Sequence, residues 1–391
     1  MTSPCTLSPG ITEDFVARLA DRAQEAERLR RLPKETVAEF RESGFADLLL
    51  PARYGGRQAD FPEILDPIRR MAHGCASSAW TLGFYTLHNW MLALFGQQAQ
   101  DEVFASGPVL CPAPLAPTGR GIPADGGFRL TGRWSWATGV MDADWVLVGA
   151  ICGAEDTDEG VYPALALLPE SEVDVEDVWH TAGMRATGSN DVVVTDAWVP
   201  EHRLVKVIDI YGGTAPGAAL HDTATYRWPM VPALALVAAM VALGTAEWVA
   251  DLYAERLGER VLAYSGVAQK QQPAAQVRLG DARVRLAALR ALTAQTADSI
   301  QQVVVGGERV RRQARAQARV AAAHIVRESR AVIGDLLEAS GASAHFLSNP
   351  MQRARRDVDI ISGHVVFDYD VSRELAGALE IGAQVSPISM V

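Results

Sequence analysis

The chain has 391 residues, of which 49% are hydrophobic and 21% are charged, and its formal net charge is −11. This length and composition predict a globular protein with two or three packed regions and exclude a disordered chain. The negative charge argues against a nucleic-acid partner held by bulk electrostatics. The four cysteines are scattered without a CxxC pair, which indicates a reducing compartment and no metal site.

The N-terminal region is predicted to be helical from residue 11 to about residue 106. The segment before it, MTSPCTLSPG, has neither a basic region nor an apolar core, so we expect no signal peptide and a cytoplasmic protein. Apolar residues recur at helical spacing up to Pro33, and a second helix follows that ends at Gly44. The next segment carries long apolar runs with few charges, which is typical of helices buried against other helices.

The pattern changes between residues 109 and about 205. Short β-branched or alternating segments, such as DADWVLVGAIC and DVVVTDAWVP, are separated by glycine-containing or polar turns. Strands at this spacing predict a small antiparallel barrel or sandwich.

Helices return from about residue 225. The uncharged stretch 228–246 is about long enough to span a bilayer, but it is rich in alanine, starts with two prolines and lacks flanking basic clusters. We therefore predict a helix at the centre of a bundle and no membrane span. With two long amphipathic helices and the C-terminal segment it predicts a four-helix bundle. The predicted domains are 1–108 (helical), 109–210 (β-domain) and 211–391 (bundle).

Common signatures of phosphate loops, zinc proteases and serine hydrolases are absent from the sequence. Asp142 and Asp144 are interpreted as turn residues, and the arginine-rich segment 308–330 as a solvated helix face or subunit contact. A lone histidine such as His364, between apolar runs, is more often a core residue than a catalytic one.

Three stretches together favour a functional site. SSAWTLGFYTLHNW places Trp80 and His88 in an apolar helix, GRWSWATGVMDADWV groups three tryptophans beside Thr138, and RRDVDIISGH ends on His364. Aromatic residues with a few polar groups in apolar surroundings suit a flat aromatic cofactor.

On these motifs and their order, nearly the whole chain resembles the acyl-CoA dehydrogenase superfamily. The finer motifs are similar to its two-component flavin-dependent monooxygenases, such as the 4-hydroxyphenylacetate and hydroxysecoandrostenedione hydroxylases and the polyketide hydroxylases. The matching stretches are HNWMLALF, GRWSWATGVMDADWVLVGA, VWHTAGMRATGSNDVVVTDAWVPEHR and RARRDVDIISGH.

The resemblance implies a mostly α-helical fold with a central β-domain and a homotetramer built through the C-terminal bundle. It also implies reduced FMN, with FADH2 as the alternative, supplied by a separate NAD(P)H flavin reductase. The flavin would react with O2 to a C4a-hydroperoxide that hydroxylates an aromatic or polyketide-like small molecule. No nucleic acid and no membrane are expected as partners.

Carried over by position, the resemblance assigns catalytic roles to His88, Thr138 and His364. His88 would face the substrate, Thr138 would act as a hydrogen-bond donor to flavin N5 in a pocket kept dry by tryptophans, and His364 would lie beside the flavin. Either histidine can take a proton from a phenol or protonate a leaving hydroxide, and the sequence leaves their assignment open. The implied cofactor-binding residues are Trp80, Pro112, Ala113, Pro114, Trp136, Ala137, Thr138, Arg260, Ser340, Gly341 and Ser343.

Three alternatives stay open at this stage. The first is N-oxygenation of an amino sugar or amine by the same flavin chemistry. The second is an acyl-CoA dehydrogenase or thioester oxidase, which is disfavoured because the segment Ser362–His364 lacks the glutamate base of those enzymes. The third is a helical scaffold that has lost its site.

Overall fold

The computed structural model describes residues 10–154, 160–221, 223–261, 266–386 and 389. Cys5 lies outside these residues. The N-terminal part is helical, as predicted, with α1 Glu13–Leu29, α2 Lys34–Ser43, α3 Leu65–Met71, α4 Ala76–Leu92 and α5 Gln97–Val103.

Local sequence explains where the first two helices begin and end. The Thr12 hydroxyl accepts a hydrogen bond from the Phe15 N–H and caps α1, and Gly44 ends α2 in the left-handed conformation that glycine favours.

Helix α4 is the most deeply buried element of the N-terminal part. All its residues are buried, and its first and last turns carry no charged side chain. It packs against α3 and against α8, a C-terminal helix spanning Met230–Glu259. A helix that is apolar all round is stable only in such surroundings.

The middle of the chain forms one seven-stranded sheet in the order β5-β6-β2-β1-β3-β4-β7. The strands are β1 Gly119–Ala124, β2 Gly127–Ala137, β3 Trp145–Gly153, β4 Val161–Pro169, β5 Asp174–Glu176, β6 Asn190–Pro200 and β7 Leu204–Lys206. The sheet is mixed, whereas the sequence predicted only antiparallel pairs. Strand β1 pairs with β2 on one side in an antiparallel manner and with β3 on the other side in a parallel manner.

The C-terminal part contains α6 Val207–Gly212, α7 Pro216–Leu220, α8, α9 Pro273–Val305, α10 Arg312–Ala339, α11 Pro350–Ser362 and α12 Tyr369–Glu380. Helix α10 packs against α8, α9, α11 and α12. The predicted bundle is thus present, but its C-terminal element is divided into α11 and α12 at the turn that carries His364.

The stretch 228–246 gives rise to most of α8, as predicted. Among the described residues, α8 alone is long and apolar enough to cross a membrane, but 89% of its most apolar window is buried inside the protein. Composition of this kind is equally typical of the core helix of a helical bundle.

The N-terminal and C-terminal helices share one hydrophobic core. Residues of α1 to α5 and of α8 to α11 belong to the same buried cluster, whereas one face of the sheet has a separate core. The proposed limits between domains at residues 108 and 210 stay predictions.

A buried ionic cluster fastens α8 to its neighbours. Glu247 is 3% exposed and contacts Arg69 and His73, and its Oε1 lies 2.6 Å from the Arg290 guanidinium. Burial opposes ionisation, but the hydrogen bond from His73 and the arginine charges hold the pKa of Glu247 below its usual range. A carboxylate engaged in this way is a structural anchor.

Candidate active site

A row of aromatic rings lies along one face of α4 and continues to the turn after α11. Trp80, Phe84 and His88 are spaced four residues apart and therefore lie on one side of the helix. Their ring centroids are 4.8 Å apart for Trp80–Phe84 and 5.4 Å apart for Phe84–His88. The His364 ring lies 5.9 Å from Trp80 and 6.1 Å from Phe367. Two of the predicted catalytic residues thus lie in one aromatic-lined row.

His88 is held in one tautomer by the backbone. Its Nδ1 lies 2.5 Å from the carbonyl oxygen of Cys111, and a carbonyl can only accept, so Nδ1 carries the proton. Burial lowers the pKa of His88 to about 4, although the bond to Cys111 acts in the opposite direction. At neutral pH the ring is therefore uncharged and its Nε2 has a free lone pair.

His364 has the opposite arrangement. Its Nδ1 accepts a hydrogen bond of 3.2 Å from the N–H of Val366, so in the neutral ring the proton is on Nε2. The residue lies at the protein surface, but desolvation of the ring, followed by repulsion from Arg319, lowers the pKa of His364 to about 4. At neutral pH His364 can therefore donate a hydrogen bond from its Nε2, whereas His88 can accept one at its Nε2.

The predicted segment Pro112–Pro114 runs beside this row. The carbonyl of Pro112 accepts from Leu147 N at 2.9 Å, and that of Pro114 accepts from Gly149 N at 3.2 Å, so the segment is attached to β3. Cys111, which bonds to His88, immediately precedes it. The structure therefore brings this segment next to the aromatic row.

Thr138 belongs to a chain of three hydroxyl groups with a defined direction. Thr187 donates to the carbonyl of Met184 at 2.9 Å, Ser189 lies 2.7 Å from Thr187, and Thr138 lies 2.9 Å from Ser189. Because each hydroxyl has one proton, Ser189 donates to Thr187 and Thr138 donates to Ser189. In this arrangement the Thr138 oxygen can accept a hydrogen bond from its remaining surroundings, whereas the sequence predicted a donor.

A hydrogen bond brings Thr138 close to α4. The Tyr85 hydroxyl donates to the carbonyl of Gly139 at 2.5 Å, and a side chain at Gly139 would lie 2.2 Å from that hydroxyl oxygen. Gly139 also has a φ of +78°, so both space and backbone conformation require glycine here. The end of β2 is thus fixed against the helix that carries Trp80 and His88.

The three tryptophans predicted around Thr138 do not form one pocket. Trp134 is buried in the core of the sheet, Trp145 packs against the helical core, and Trp136 is 66% exposed. An extra residue between Trp134 and Ala137 breaks the alternation of the strand, and Trp136 adopts a positive φ of 72°. Trp136 thereby turns out of the sheet core and leaves an exposed indole two residues before Thr138.

The remaining predicted residues form a separate cationic cluster. The Arg260 guanidinium donates to the carbonyl of Ser340 at 2.9 Å and lies against Gly341. Arg256 donates to the same carbonyl at 2.8 Å and to the Ser343 hydroxyl at 2.6 Å. Within the described part of the chain, neither arginine pairs with a carboxylate, and the buried Nε of Arg256 has no partner. Burial and then repulsion from Arg260 lower the pKa of Arg256.

Known proteins match this chain over nearly its whole length. The family descriptions "Acyl-CoA dehydrogenase, N-terminal domain" and "Acyl-CoA dehydrogenase, C-terminal domain" match residues 11–107 and 236–369. The oxygenase subunit HsaA of a flavin-dependent monooxygenase from Mycobacterium tuberculosis is 34% identical over 95% of this chain and 94% of its own. Its crystal structure superposes with a TM-score of 0.90 over 98% of both chains.

Two further relatives have names that include a reduced flavin. The oxygenase component of an FADH2-dependent resorcinol hydroxylase from a Rhizobium species is 28% identical over 93% of this chain and 91% of its own. XiaF from a Streptomyces species, solved in complex with FADH2 and glycerol, is 29% identical over 97% of this chain and 95% of its own, with a TM-score of 0.88.

The chain belongs to the flavin-dependent monooxygenases of the acyl-CoA dehydrogenase family. The predicted fold class is confirmed, and so are the enzyme class and the dependence on a reduced flavin. Within the described residues, no group of His, Cys, Asp and Glu side chains could hold a metal ion.

The residues of this monooxygenase fit a flavin. Trp136 offers an exposed indole next to Thr138, whose oxygen is free to accept a hydrogen bond such as one from the protonated N5 of a reduced flavin. The unpartnered Nε of Arg256 and the charge of Arg260 suit a phosphate group.

Sequence reasoning missed several residues of the site. Phe84 could have been found, because it lies midway between Trp80 and His88 at helical spacing. Arg256 likewise lies one helical turn before Arg260. Ser189 and Asp357 gave no recognisable signal, since their role depends on backbone and hydroxyl groups that are distant in sequence.

Asp357 fastens the loop before β6 to α11. It is 4% exposed, and its Oδ1 accepts a 2.5 Å hydrogen bond from the N–H of Met184, the residue whose carbonyl ends the hydroxyl chain. Burial raises the pKa of Asp357 to about 6, although the bond from Met184 opposes this shift. The loop that orients Thr138 is thus connected to the helix that leads to His364.

We expect the substitution Asp357→Asn to change how stability depends on pH. The folded enzyme retains a proton on Asp357 that the unfolded chain loses between about pH 4 and pH 6, so this group makes the folded state less stable as pH rises through that window. Asparagine can still accept from Met184 but cannot ionise. Relative to Asp357→Asn, the wild type should lose about 2–3 kcal/mol of unfolding free energy from pH 4 to pH 7. A pH-independent difference in denaturant titrations would contradict this assignment.

Proposed function

We propose that this monooxygenase hydroxylates a small aromatic compound, held against Trp80, Phe84 and His88. The observation that carries this proposal is the pair of neutral histidines with opposite tautomers, an acceptor on His88 and a donor on His364. The aromatic row supplies flat apolar contacts for such a substrate. The resorcinol hydroxylase among the relatives acts, by its name, on a phenol.

Each histidine has its own task in this proposal. A reduced flavin, when bound, supplies the chemistry that activates O2 for transfer of one oxygen atom. His88 Nε2 accepts a hydrogen bond from the hydroxyl group of a phenolic substrate, which makes the ring more electron-rich. His364 Nε2–H donates a hydrogen bond to the oxygen that is left behind and stabilises the negative charge that develops there. Trp80, Phe84 and Phe367 exclude water from the substrate position.

The cationic cluster at Arg256 and Arg260 is proposed to hold the flavin phosphate of a neighbouring subunit. Two guanidinium groups that have no carboxylate partner among the described residues lie beside the turn Ser340–Ser343, and an anion would offset their mutual repulsion. Such a contact binds FMN and FAD alike. The sequence predicts FMN, and this stays a prediction. The names of two relatives include FADH2 instead.

The enzyme is further proposed to be a homotetramer built through its bundle. One outward face of α9 carries small apolar residues at alternating spacings of three and four, namely Val277, Gly280, Val284, Ala287, Ala291 and Ala294. Val277 and Val284 are each 70% exposed, and small residues allow a second helix to approach closely. Sedimentation velocity of the full chain tests this, and a monomer would contradict it.

A separate NAD(P)H flavin reductase is the proposed source of reduced flavin, and the cytoplasm the proposed compartment. The relatives are oxygenase subunits or components, which indicates that reduction takes place on another protein. The three described cysteines, Cys75, Cys111 and Cys152, are buried free thiols, which suits a reducing compartment.

Neither alternative chemistry is supported by the contacts of the row. Glu247 is the one buried glutamate among the described residues, and its carboxylate is bound by Arg69, His73 and Arg290, so it cannot serve as the base of an acyl-CoA dehydrogenase. Aromatic rings can bind a cationic amine, but within the described residues no carboxylate that would anchor such an amine is hydrogen-bonded to His88 or His364.

A coupled assay tests the function. The purified protein is mixed with a flavin reductase, NADH, FMN or FAD and a panel of phenols that includes resorcinol, under 18O2. We expect a hydroxylated product that contains one 18O atom. Consumption of O2 with only H2O2 formed, together with oxidation of an acyl-CoA by an artificial electron acceptor, would overturn the proposal.

The two histidines are expected to respond differently to the acidity of the substrate. His88→Ala should lower the rate of product formation about 100-fold with an ordinary phenol, because the group that accepts the hydrogen bond of the phenol is lost. With a nitrophenol assayed above its pKa, where it is already ionised, His88→Ala should come much closer to the wild-type rate with the same substrate. His364→Ala should lower the product formed per O2 with both substrates and release more H2O2. Equal rescue of both variants by the nitrophenol would contradict the assignment.

The acceptor oxygen of Thr138 is expected to slow the release of H2O2 that occurs without substrate. Thr138→Val keeps the shape of the side chain but removes this oxygen, so H2O2 release in the absence of substrate should accelerate about tenfold. Thr138→Ser is the matched control and should remain close to the wild type. Stopped-flow absorbance of flavin reoxidation measures both variants, and an unaltered rate in Thr138→Val would exclude the proposed contact.

A further inference from the structure

Arg319 differs from the other arginines of α10. Arg327 and Arg330 are exposed, as is Arg311 just before the helix, and Arg312 and Arg315 are half-buried, whereas Arg319 is 2% exposed. Sequence alone suggested a solvated helix face for this whole segment, and for Arg319 that interpretation is wrong. Burying a guanidinium costs several kcal/mol unless good partners compensate, so its contacts indicate its purpose.

Those contacts converge on the turn that follows His364. The Nε of Arg319 donates to the carbonyl of Val366, and one terminal nitrogen donates to the carbonyl of Val365, both at 3.0 Å. The same short turn is closed by the bond from Phe367 N to the carbonyl of His364, at 2.8 Å. The flat, forked guanidinium can bind two successive carbonyls at once.

The first half of the turn needs such support because it lies at the surface. Val365 is 57% exposed and His364 is exposed as well, whereas Val366 and Phe367 are buried, so packing holds the end of the turn and hydrogen bonds must hold its start. Yet the Nδ1 of His364 must stay within reach of Val366 N for Nε2 to keep the proton. Movement of the two carbonyls would therefore change both the direction and the tautomer of the ring.

We propose that Arg319 is a positioning residue, which fixes the turn 364–367 and thereby holds the His364 ring beside Trp80. This inference rests on the proposed role of His364 in oxygen transfer. Arg319 itself touches neither substrate nor cofactor and acts through the backbone of Val365 and Val366.

The test compares Arg319→Met, Arg319→Lys and the control Arg311→Met in the coupled assay, each as the full chain. Arg319→Met keeps the length of the side chain but removes its hydrogen bonds, including those to the carbonyls of Val365 and Val366, and it should lower the product formed per O2 about tenfold, with H2O2 rising to match. Arg319→Lys keeps the charge without the fork and should give an intermediate value. Flavin affinity in both variants, and all properties of Arg311→Met, should stay within about twofold of the wild type.

Hydrogen exchange provides a readout that is independent of activity. In Arg319→Met the amides of Val366 and Phe367 should exchange faster, while those of the buried helix α8 stay unchanged. If Arg319→Met does not fold, Arg319→Lys serves for the same measurement. Unchanged exchange in the turn overturns the proposal.

The assay also separates this inference from the proposed function. If His364→Ala loses coupling while Arg319→Met retains it, Arg319 is not a positioning residue and the role of His364 stands. If His364→Ala stays fully coupled, the role of His364 fails and the positioning proposal fails with it.

Discussion

The hydrogen bond from the Tyr85 hydroxyl to the Gly139 carbonyl is the contact on which the rest of the site depends. It joins α4, a helix that is buried on all sides, to the end of strand β2. The two elements differ in the spacing of their apolar residues and belong to different hydrophobic cores. On the helix side it sets the position of Trp80, Phe84 and His88. On the sheet side it sets the position of Thr138, which ends the chain of hydroxyl groups that runs through Ser189 and Thr187 to the Met184 carbonyl.

Backbone groups, rather than charged side chains, decide which side chains of the site donate hydrogen bonds and which accept them. The carbonyl of Cys111 makes His88 an acceptor, the N–H of Val366 makes His364 a donor, and the carbonyl of Met184 makes Thr138 an acceptor. A low pKa keeps each imidazole neutral, because of burial at His88 and because of ring desolvation and repulsion from Arg319 at His364. Three polar side chains of ordinary type thus gain defined and different roles.

The sequence predicted the fold and named most residues of the candidate site, but not how these residues are oriented. Helical spacing and turn residues are local signals, so α1, α2 and α8 could be placed without a structure. Trp134 and Trp136 show the limit. Their spacing predicts one face of a strand, but a bulge places them on different faces, and a bulge leaves no clear mark in composition. The two histidines look alike in the sequence because their tautomers depend on backbone partners.

The single core shared by both ends of the chain has a consequence for synthesis. Helix α4 is finished at residue 92, but α8, which covers it, does not begin until residue 230. A ribosome must therefore make the whole β-region while the apolar surface of α4 lacks its final partner. Sheet formation can proceed in that interval, because one face of the sheet has its own core. The N-terminal helices meanwhile pass through a stage in which chaperones or early collapse must protect them from aggregation.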